Sequence, residues 1–432
     1  MRERIIGRRG RTTKTDQRER PGKPGARPGK PGARPPRKAS GPVLERVRPR
    51  PAGAPPPFRP KAPVVKFVHK KAPSPPRPQF DIPFAPKNVT SFPAKTWLWL
   101  CRGGSEIDLV EELLLSQKGM EAEPISVGLV RSSSRPFRHG QPYELTFARQ
   151  GFPVIAVVRG ETPVALGMAA ARVVAPMLAE GPYVLHGFTP DADKLNPLSN
   201  DVAAAGSALA RSLPGGAARL VSAVDSPLAK SSFVQLCMLG PGVAAVGVQR
   251  VGQAVSLAPG GRLRASQGRA PSRAAAKLLE AFAWMGRTPE PGDVCLDLGA
   301  APGGWTHVLL DLRCKVTAVD PARMSPELMK NRLLTHERRS AFDYAREEPV
   351  DWLFCDMAWR PLEVAALLAR WGRQRMARFL VANIKLPMKR KVEMLTRVRE
   401  ILETGMWRDV HVRQLYHDRD EVTIYAWALG DP

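Results

Sequence analysis

Cysteine is scarce in this 432-residue chain: there are five, widely scattered, and no two form a Cys-x-x-Cys pair. An odd and dispersed set indicates neither a disulfide framework nor a structural zinc site, and it favours a reducing compartment. A run of about 18 or more apolar residues is also missing, so we expect no membrane span. The N-terminus lacks the apolar core of a secretory signal. These absences together predict a cytoplasmic protein that uses no metal.

Acidic residues are fewer than basic ones: the sequence has 40 Asp and Glu but 66 Lys and Arg, and the formal net charge is +26. Residues 1–90 alone hold 24 Lys and Arg but 5 Asp and Glu, so they carry +19 of that charge, together with 20 of the 44 prolines. Proline removes backbone donors and like charges repel, so this stretch is predicted to be a disordered basic tail. Its early acids and prolines disfavour an organellar presequence. Such a tail either strengthens binding to RNA or only keeps the protein in solution.

The rest of the chain predicts folded α/β structure. Residues 93–150 are interpreted as a small α/β domain, with strands at 96–101, 125–131 and 143–149 and a helix at 107–115. Residues 151–265 mix strand-like and helical segments without a cluster of acids or histidines. We interpret them as a binding or spacer domain.

Residues 268–432 alternate strictly between apolar strands and amphipathic helices, which predicts a doubly wound, mainly parallel sheet. In such a sheet the ligand lies beyond the carboxyl ends of the strands. The predicted strands are Val294–Leu298, Lys315–Val319, Trp352–Cys355, Phe379–Ile384 and Val422–Leu429, and the predicted helices are Arg273–Met285, Trp305–Leu312, Leu362–Met376 and Lys389–Glu403.

A glycine-rich loop follows the first of these strands, in the sequence Asp297-Leu-Gly-Ala-Ala-Pro-Gly-Gly-Trp305. Glycine tolerates positive φ and lets a ligand approach the backbone closely. The spacing differs from the dinucleotide pattern Gly-x-Gly-x-x-Gly, and the Lys-Ser/Thr that ends a P-loop is missing. Asp320 ends the next strand, where a carboxylate accepts hydrogen bonds from ribose hydroxyls. A nucleoside cofactor without a pyrophosphate, S-adenosylmethionine, is therefore predicted.

Four charged residues are expected at the same edge of the sheet: Lys277, Asp356, Lys385 and Glu421. Asp356 and Lys385 each follow an apolar strand, and a lysine there is expected to be partly desolvated, which lowers the pKa of its amine towards that of a general base. A ribose hydroxyl needs such a base to become a nucleophile. Taken singly, Lys277 also fits the solvated face of a helix, and Glu421 fits a pair with a nearby arginine.

The order Lys277–Asp356–Lys385–Glu421, together with the glycine-rich loop, resembles the Lys-Asp-Lys-Glu ribose 2′-O-methyltransferases of the FtsJ/RrmJ superfamily. Three segments are similar, more narrowly, to the RlmM type of that superfamily. They are Ala-Pro-Ser-Arg (270–273), Asn-Ile-Lys-Leu-Pro-Met-Lys (383–389) and Arg-Gln-Leu-Tyr-His-Asp-Arg-Asp-Glu-Val-Thr (413–423). Upstream, Leu-Cys-Arg-Gly-Gly (100–104) and Phe-Ala-Arg-Gln (147–150) are similar to the ferredoxin-like and THUMP segments of the family.

The resemblance implies a fold and a reaction. The fold is a Rossmann-like methyltransferase domain over 268–432, preceded by a ferredoxin-like domain over 93–150 and a THUMP-like RNA-binding domain over 151–265. The reaction is methylation of a cytidine ribose in large-subunit (23S) ribosomal RNA, naked or in a precursor particle, with S-adenosylmethionine as cofactor. The sulfonium of this cofactor is already activated, so no metal is expected, and the protein is expected to be a monomer.

The resemblance further implies roles for individual residues. Lys385 becomes the proton acceptor, Asp356 positions the reacting groups and borders the cofactor, and Lys277 and Glu421 orient and tune the site. The implied cofactor residues are Ser272, Gly299, Ala301, Pro302, Gly303, Gly304, Asp320 at the ribose, Asp343 near the adenine, and Asp356. At position 301 the family usually has cysteine; because that position offers its backbone, we expect little effect.

Alternative functions remain open at this point. The substrate could be transfer RNA or an mRNA cap, or the chain could be an inactive RNA-binding factor in ribosome assembly. A nicotinamide oxidoreductase is disfavoured by the spacing of the glycines. Lys389, Arg390 and Lys391 are predicted either to contact RNA or to form a solvated start of a helix.

Overall fold

The structure is a computed structural model that describes residues 81–84, 86, 89–191, 193–221, 230–262 and 272–428. All of them belong to one compact unit, residues 74–432. Most of the predicted disordered tail lies outside the described residues. Its predicted boundary at residue 90 is nevertheless corrected, because the carbonyl of Pro83 accepts a hydrogen bond from the amide of Val127 at 3.0 Å, and that of Val89 accepts one from Arg159 at 3.0 Å.

The first sheet is antiparallel, with the strand order β2-β3-β1-β6. Read from β6, this is the order 4-1-3-2 of a ferredoxin-like sheet, with one helix and a short hairpin where a second helix would stand. The elements are β1 (Trp97–Leu100), α1 (Glu106–Ser116), β2 (Ala122–Ser126), β3 (Leu129–Ser132), β4 (Phe137–Arg138), β5 (Gln141–Pro142) and β6 (Gln150–Pro153).

Two predictions for this sheet are wrong. The single strand expected at 125–131 is a hairpin of β2 and β3, because Gly128 turns with φ +75° between them. The strand expected at 143–149 is irregular. There the buried carboxylate of Glu112 accepts hydrogen bonds from the amides of Thr146 (2.7 Å) and Phe147 (3.1 Å), so these amides are not available to a neighbouring strand.

The second sheet has the order β7-β10-β9-β8, in which β8 and β9 are parallel and the other pairs antiparallel. Helices α2 and α3 pack against each other, and they approach closely at Gly167, where a Cβ would overlap the carbonyl oxygen of Ala205. The elements are β7 (Ala156–Arg159), α2 (Pro163–Val174), β8 (Tyr183–Phe188), α3 (Ser199–Ser212), β9 (Ser232–Gly240) and β10 (Val243–Arg250). The assignment of this domain as THUMP-like stays a prediction.

The third sheet has seven strands in the order β13-β12-β11-β14-β15-β17-β16, all parallel except β17. This confirms the predicted doubly wound fold. The elements are α4 (Arg273–Met285), β11 (Val294–Leu298), α5 (Gly304–Asp311), β12 (Lys315–Val319), β13 (Leu334–Glu337), β14 (Val350–Cys355), α6 (Pro361–Arg373), β15 (Ala377–Lys385), α7 (Lys391–Thr404), β16 (Trp407–Arg413) and β17 (Glu421–Ala428).

The order of the third sheet reverses between β11 and β14, since the chain first moves outward to β12 and β13 and then to β15 on the other side. A crevice forms at such a switch point, beyond the carboxyl ends of the two strands. The glycine-rich loop follows β11, and Asp356 follows β14. The fold thus brings the predicted cofactor loop and the predicted catalytic residues to one place.

The first and third sheets share an apolar core, which includes Trp99 of β1 and Trp407 of β16. Polar contacts reinforce this junction: the guanidinium of Arg149 donates to the carbonyls of Leu415 (3.1 Å) and Tyr416 (3.3 Å). Within the described ranges we find no helix with the length and apolarity needed to cross a bilayer.

Candidate active site

A cleft of about 490 Å³ opens at the carboxyl ends of β14 and β15. Lys277 of α4, Asp356, Lys385 and Glu421 all line it, so the structure brings together the four residues predicted from the sequence. In the antiparallel pair β15–β17, Lys385 lies directly opposite Glu421. The four predicted residues balance in charge when all are ionised, and Arg273, Arg419 and Asp420 also line the cleft.

Lys277 and Glu421 form a buried ion pair across the back of the cleft. Their Nζ and Oε1 atoms are in direct contact, and the side chains are 11% and 10% exposed. The alternative of a solvated lysine on a helix surface is therefore wrong, and Glu421 pairs with this lysine rather than with a neighbouring arginine. A buried pair of this kind holds both side chains in fixed positions.

Asp356 is largely withdrawn from solvent at the end of β14. Burial raises the pKa of its carboxyl group, and the negative charge of Glu421 adds to this, while Lys277, Lys385 and a hydrogen bond from Asn383 lower it. The amide Nδ2 of Asn383 donates to Oδ1 of Asp356 at 3.3 Å. The carboxylate is thus oriented by an amide on the next strand.

Lys385 differs from the other three residues because its side chain is exposed to the cleft. We expected the end of an apolar strand to shield this lysine from water. In the protein without a bound substrate, that expectation is wrong. Strand β15 ends at Lys385, and the side chain extends beyond the edge of the sheet. In the described part of the chain, no carboxylate forms an ion pair with Lys385, whereas Lys277 is held by Glu421.

The glycines of the loop after β11 are needed for packing within the protein. Gly299 has φ +77°, and a Cβ there would overlap Met357. Gly303 has φ +119° and faces Leu328, whereas Gly304 packs on Ala274 at the start of α4. The positive φ expected from the sequence is thus present at Gly299 and Gly303, and close packing within the protein is a further reason for these glycines.

Asp320 fastens the loop to the end of β12. Its Oδ2 accepts from the amide of Ala301 at 3.2 Å, and its Oδ1 accepts from that of Ala322 at 2.8 Å. A carboxylate oxygen can accept more than one hydrogen bond, and the side chain is half-buried, so acceptor capacity remains towards solvent.

Three other predicted cofactor residues lie in three different segments of the domain. Asp343 is exposed in the turn after β13, and Pro302 is exposed within the loop. The hydroxyl of Ser272 accepts from the amide of Ala275 at 3.1 Å and caps α4, and it lies close to where a Cβ on Gly304 would be. An acid directly after β12, bonded to the glycine-rich loop, fits a nucleoside with free ribose hydroxyls.

Sequence reasoning missed a buried acid under the loop. Asp297, the fourth residue of β11, accepts a hydrogen bond from the hydroxyl of Thr306 at 2.6 Å, and burial raises its pKa to about 7. An acid inside an otherwise apolar strand was a signal in the sequence. It also missed the polar chain formed by Asn383, Thr423 and Asp418, which is described below.

One predicted RNA contact is contradicted. Lys391 is buried and forms an ion pair with Asp108 of α1 at 2.9 Å, with side chains that are 9% and 3% exposed. It joins α7 to the first domain and is not available to RNA. Lys389 is exposed, and Arg390 is exposed but pairs with Glu393 at 2.8 Å.

A second polar cleft of about 490 Å³ adjoins the first. Arg273, at the start of α4, lines both clefts. Arg102 and Arg149 of the first domain also line the second cleft, together with Tyr416 and Asp191. Arginines therefore continue from the first cleft towards the first domain.

Residues 270–379 match the family model described as FtsJ-like methyltransferase. A protein from Alkalilimnicola ehrlichii named ribosomal RNA large subunit methyltransferase M is 34% identical over 358 residues, which cover 77% of this chain and 95% of the relative. A protein of the same name from Methylococcus capsulatus is 44% identical over 163 residues, which cover 36% of this chain and 46% of the relative. In several such alignments, including the one with the Methylococcus capsulatus protein, the chain spans about half the length of the relative.

Solved structures with a similar fold have lower sequence identity to this chain. A fibrillarin pre-rRNA processing protein from Methanococcus jannaschii is 17% identical with a TM-score of 0.31, covering 46% of this chain and 84% of the other. TrmN from Thermus thermophilus is 16% identical with a TM-score of 0.28, covering 77% of this chain and all of the other. The fold assignment above therefore rests on the strand order itself.

Proposed function

The chain belongs to the ribosomal RNA large subunit methyltransferase M family, and we propose that it transfers a methyl group from S-adenosylmethionine to a ribose 2′-hydroxyl of large-subunit ribosomal RNA. We further propose that the target is a cytidine and that Lys385 is the general base. The observation that carries this proposal is the arrangement of the cleft. One lysine is open to substrate, while the other three charged residues are held in place behind it.

The proposed base is Lys385 because a base must reach the hydroxyl proton of a bound substrate. Its amine is open to the cleft and is not held by an ion pair in the described residues. Bound RNA would cover the cleft and exclude water from around this amine. The neutral amine then accepts the proton as the ribose oxygen becomes the nucleophile.

The other three residues prepare this step. Lys277 and Glu421 form a neutral pair, so they fix the back of the cleft without adding net charge. Asp356, oriented by Asn383, accepts a hydrogen bond from an incoming hydroxyl or from the protonated Lys385. Such preorganisation avoids rearrangement during the reaction.

Asp320, Asp343 and the loop residues Ala301–Gly304 would hold S-adenosylmethionine. This cofactor supplies a methyl group on a sulfonium, which is activated for direct displacement. Asp320 would accept hydrogen bonds from the ribose hydroxyls of the cofactor, and Asp343 would accept one from the amino group of its adenine. Asp356 would border the cofactor on the side of the cleft.

Purified protein is expected to transfer a labelled methyl group from S-adenosylmethionine to 23S ribosomal RNA, and the label should lie on one ribose 2′-oxygen. Mapping of the modified nucleotide by mass spectrometry of nuclease fragments identifies the base. Transfer to transfer RNA or to a capped oligonucleotide, but not to ribosomal RNA, would overturn the choice of substrate. Lack of transfer to any RNA would overturn the proposed activity.

Deletion of residues 1–80 is expected to weaken RNA binding at low salt and to flatten the dependence of affinity on salt, with kcat nearly unchanged. Basic residues bound to phosphates release counterions, so their loss reduces the salt slope. The deletion stops before Pro83, whose carbonyl contacts Val127. A full-length variant with the tail lysines and arginines replaced by glutamine is the matched control for charge. An unchanged slope would assign the tail a solubilising role only.

A further inference from the structure

A chain of buried polar side chains leads from Asp356 away from the cleft. Asn383 Nδ2 donates to Asp356 Oδ1 at 3.3 Å, and Asn383 Oδ1 lies 2.9 Å from the hydroxyl oxygen of Thr423. That hydroxyl oxygen is also 3.1 Å from Oδ2 of Asp418. Asn383, Thr423 and Asp418 are at most 1% exposed. All three stand in the segments 383–389 and 413–423, yet the proposed reaction gives Thr423 and Asp418 no role.

Counting hydrogens fixes the direction of this chain. A carboxylate only accepts, so Asn383 must turn its NH₂ to Asp356 and its oxygen to Thr423. The single hydroxyl hydrogen of Thr423 then goes to Asn383. For the 3.1 Å contact between Thr423 and Asp418 to be a hydrogen bond at the same time, Asp418 itself must supply the hydrogen.

We propose that Asn383, Thr423 and Asp418 are positioning residues for Asp356, and that Asp418 supplies the first hydrogen of the chain as a neutral carboxylic acid. The proposal rests on the proposed function for its kinetic consequence, but not for the protonation of Asp418. In this arrangement Asp418 donates to Thr423, Thr423 donates to Asn383, and Asn383 donates to Asp356, which stays ionised.

The surroundings of the two acids favour this distribution of charge. Lys277 and Lys385 adjoin Asp356, whose other charged neighbours are Glu421 and Asp297. Asp418 is fully buried, and its Oδ1 has no hydrogen-bond partner among the described residues. An ionised carboxylate with an unpaired buried oxygen is costly, and a neutral acid much less so.

Two of the three charged neighbours of Asp418, both of them acids, act in the same sense. Glu421 and Glu280 raise its pKa and Lys277 lowers it, while burial is the largest cause and raises it well above its usual value. Arg102 contacts the carbonyl of Asp418 at 2.7 Å and not its carboxyl. The amide of Leu415 donates to Oδ2 at 2.9 Å, which a neutral acid also accepts.

The kinetic test replaces Thr423, since valine has the same shape without the hydroxyl. Thr423→Val is expected to lower kcat about 10-fold, the order of one buried hydrogen bond, with the affinity for S-adenosylmethionine nearly unchanged. Thr423→Ser keeps the hydroxyl and is expected to recover most of the rate. Thr335→Val, at an exposed position of β13 in the same sheet, is the matched control.

The pH profile separates positioning from a general loss of stability. The hydrogen bond from Asn383 lowers the pKa of Asp356, so its loss raises that pKa. Activity that needs ionised Asp356 then disappears at a higher pH, and the acidic limb of kcat/KM moves upwards in Thr423→Val. An unmoved limb together with an unchanged kcat would overturn the positioning role.

The protonation of Asp418 is tested without RNA or cofactor. If folding keeps Asp418 neutral, its folded pKa exceeds the unfolded value of about 3.9, and its contribution to stability is lost as pH rises through the folded pKa. Asp418→Asn stays neutral at every pH. The Tm of this variant minus that of the wild type should therefore increase as pH rises from acidic to alkaline values.

A Tm difference that stays constant or decreases with pH would overturn the neutral Asp418. This measurement remains decisive even if the wild type methylates no RNA. The proposed chain of hydrogen bonds and the proposed function can therefore fail separately. Asp418→Ala, which removes the donor, is expected to lower kcat as Thr423→Val does. Full activity of Asp418→Ala would contradict the proposed chain of hydrogen bonds.

Discussion

Replacing Lys385 by alanine is expected to lower kcat for methyl transfer by about 10²- to 10⁴-fold, the usual contribution of a general base. The affinity for S-adenosylmethionine should stay nearly unchanged, because most of the proposed cofactor residues follow β11, β12 and β13, whereas Lys385 ends β15. Lys385 is exposed, so its truncation removes no buried contact and should barely change the Tm. Single-turnover methyl transfer and calorimetric titration of the cofactor measure the two effects.

Lys385→Arg distinguishes a base from a fixed positive charge. Arginine keeps the charge near Asp356 but stays protonated in proteins, so it cannot accept the proton. We expect this variant to be as inactive as Lys385→Ala. Recovery of activity in Lys385→Arg would assign an electrostatic role instead. Lys315→Ala, at an exposed position at the opposite end of β12, is the matched control and should retain the wild-type rate.

The catalytic domain was the part of the fold that the sequence predicted well. Strands Val294–Leu298 and Lys315–Val319 and helix Arg273–Met285 have the predicted bounds. Each is an apolar segment bounded by clear turn signals, and burial on both faces of a parallel sheet makes such strands easy to recognise. The two strands that were missed, Leu334–Glu337 and Trp407–Arg413, lie at the edges of the sheet, where half-exposed residues weaken the apolar pattern.

Asp356, Lys385 and Glu421 could be predicted because they end or begin apolar strands, and the topology places those ends together. Their partners could not be predicted in the same way. The exposure of Lys385 depends on how far the side chain extends beyond the sheet edge, and the burial of Lys391 depends on Asp108, 283 positions earlier in the sequence. Contacts between distant segments leave no local pattern.

Replacing Lys277 by methionine is expected to destabilise the protein by about 3–5 kcal/mol, because it leaves Glu421 as an unpaired buried charge. Methionine matches the length and shape of the aliphatic part of lysine, so packing is largely kept. Protonation of the stranded Glu421 relieves the cost, and the destabilisation should therefore be smaller at acidic than at alkaline pH. Urea unfolding at several pH values measures it.

The double variant Lys277→Met/Glu421→Gln removes both charges of the ion pair and should recover most of the lost stability, since a neutral pair of similar volume needs no counter-ion. Its activity should not recover. Without Lys277, Asp356 loses a neighbouring cation that lowers the pKa of its carboxyl group, so a larger fraction of it is protonated and the acidic limb of kcat/KM moves to higher pH. Stability that returns without activity would separate the structural part of the ion pair from its effect on Asp356. If the effects of the two single substitutions on stability simply add in the double variant, Lys277 and Glu421 act independently.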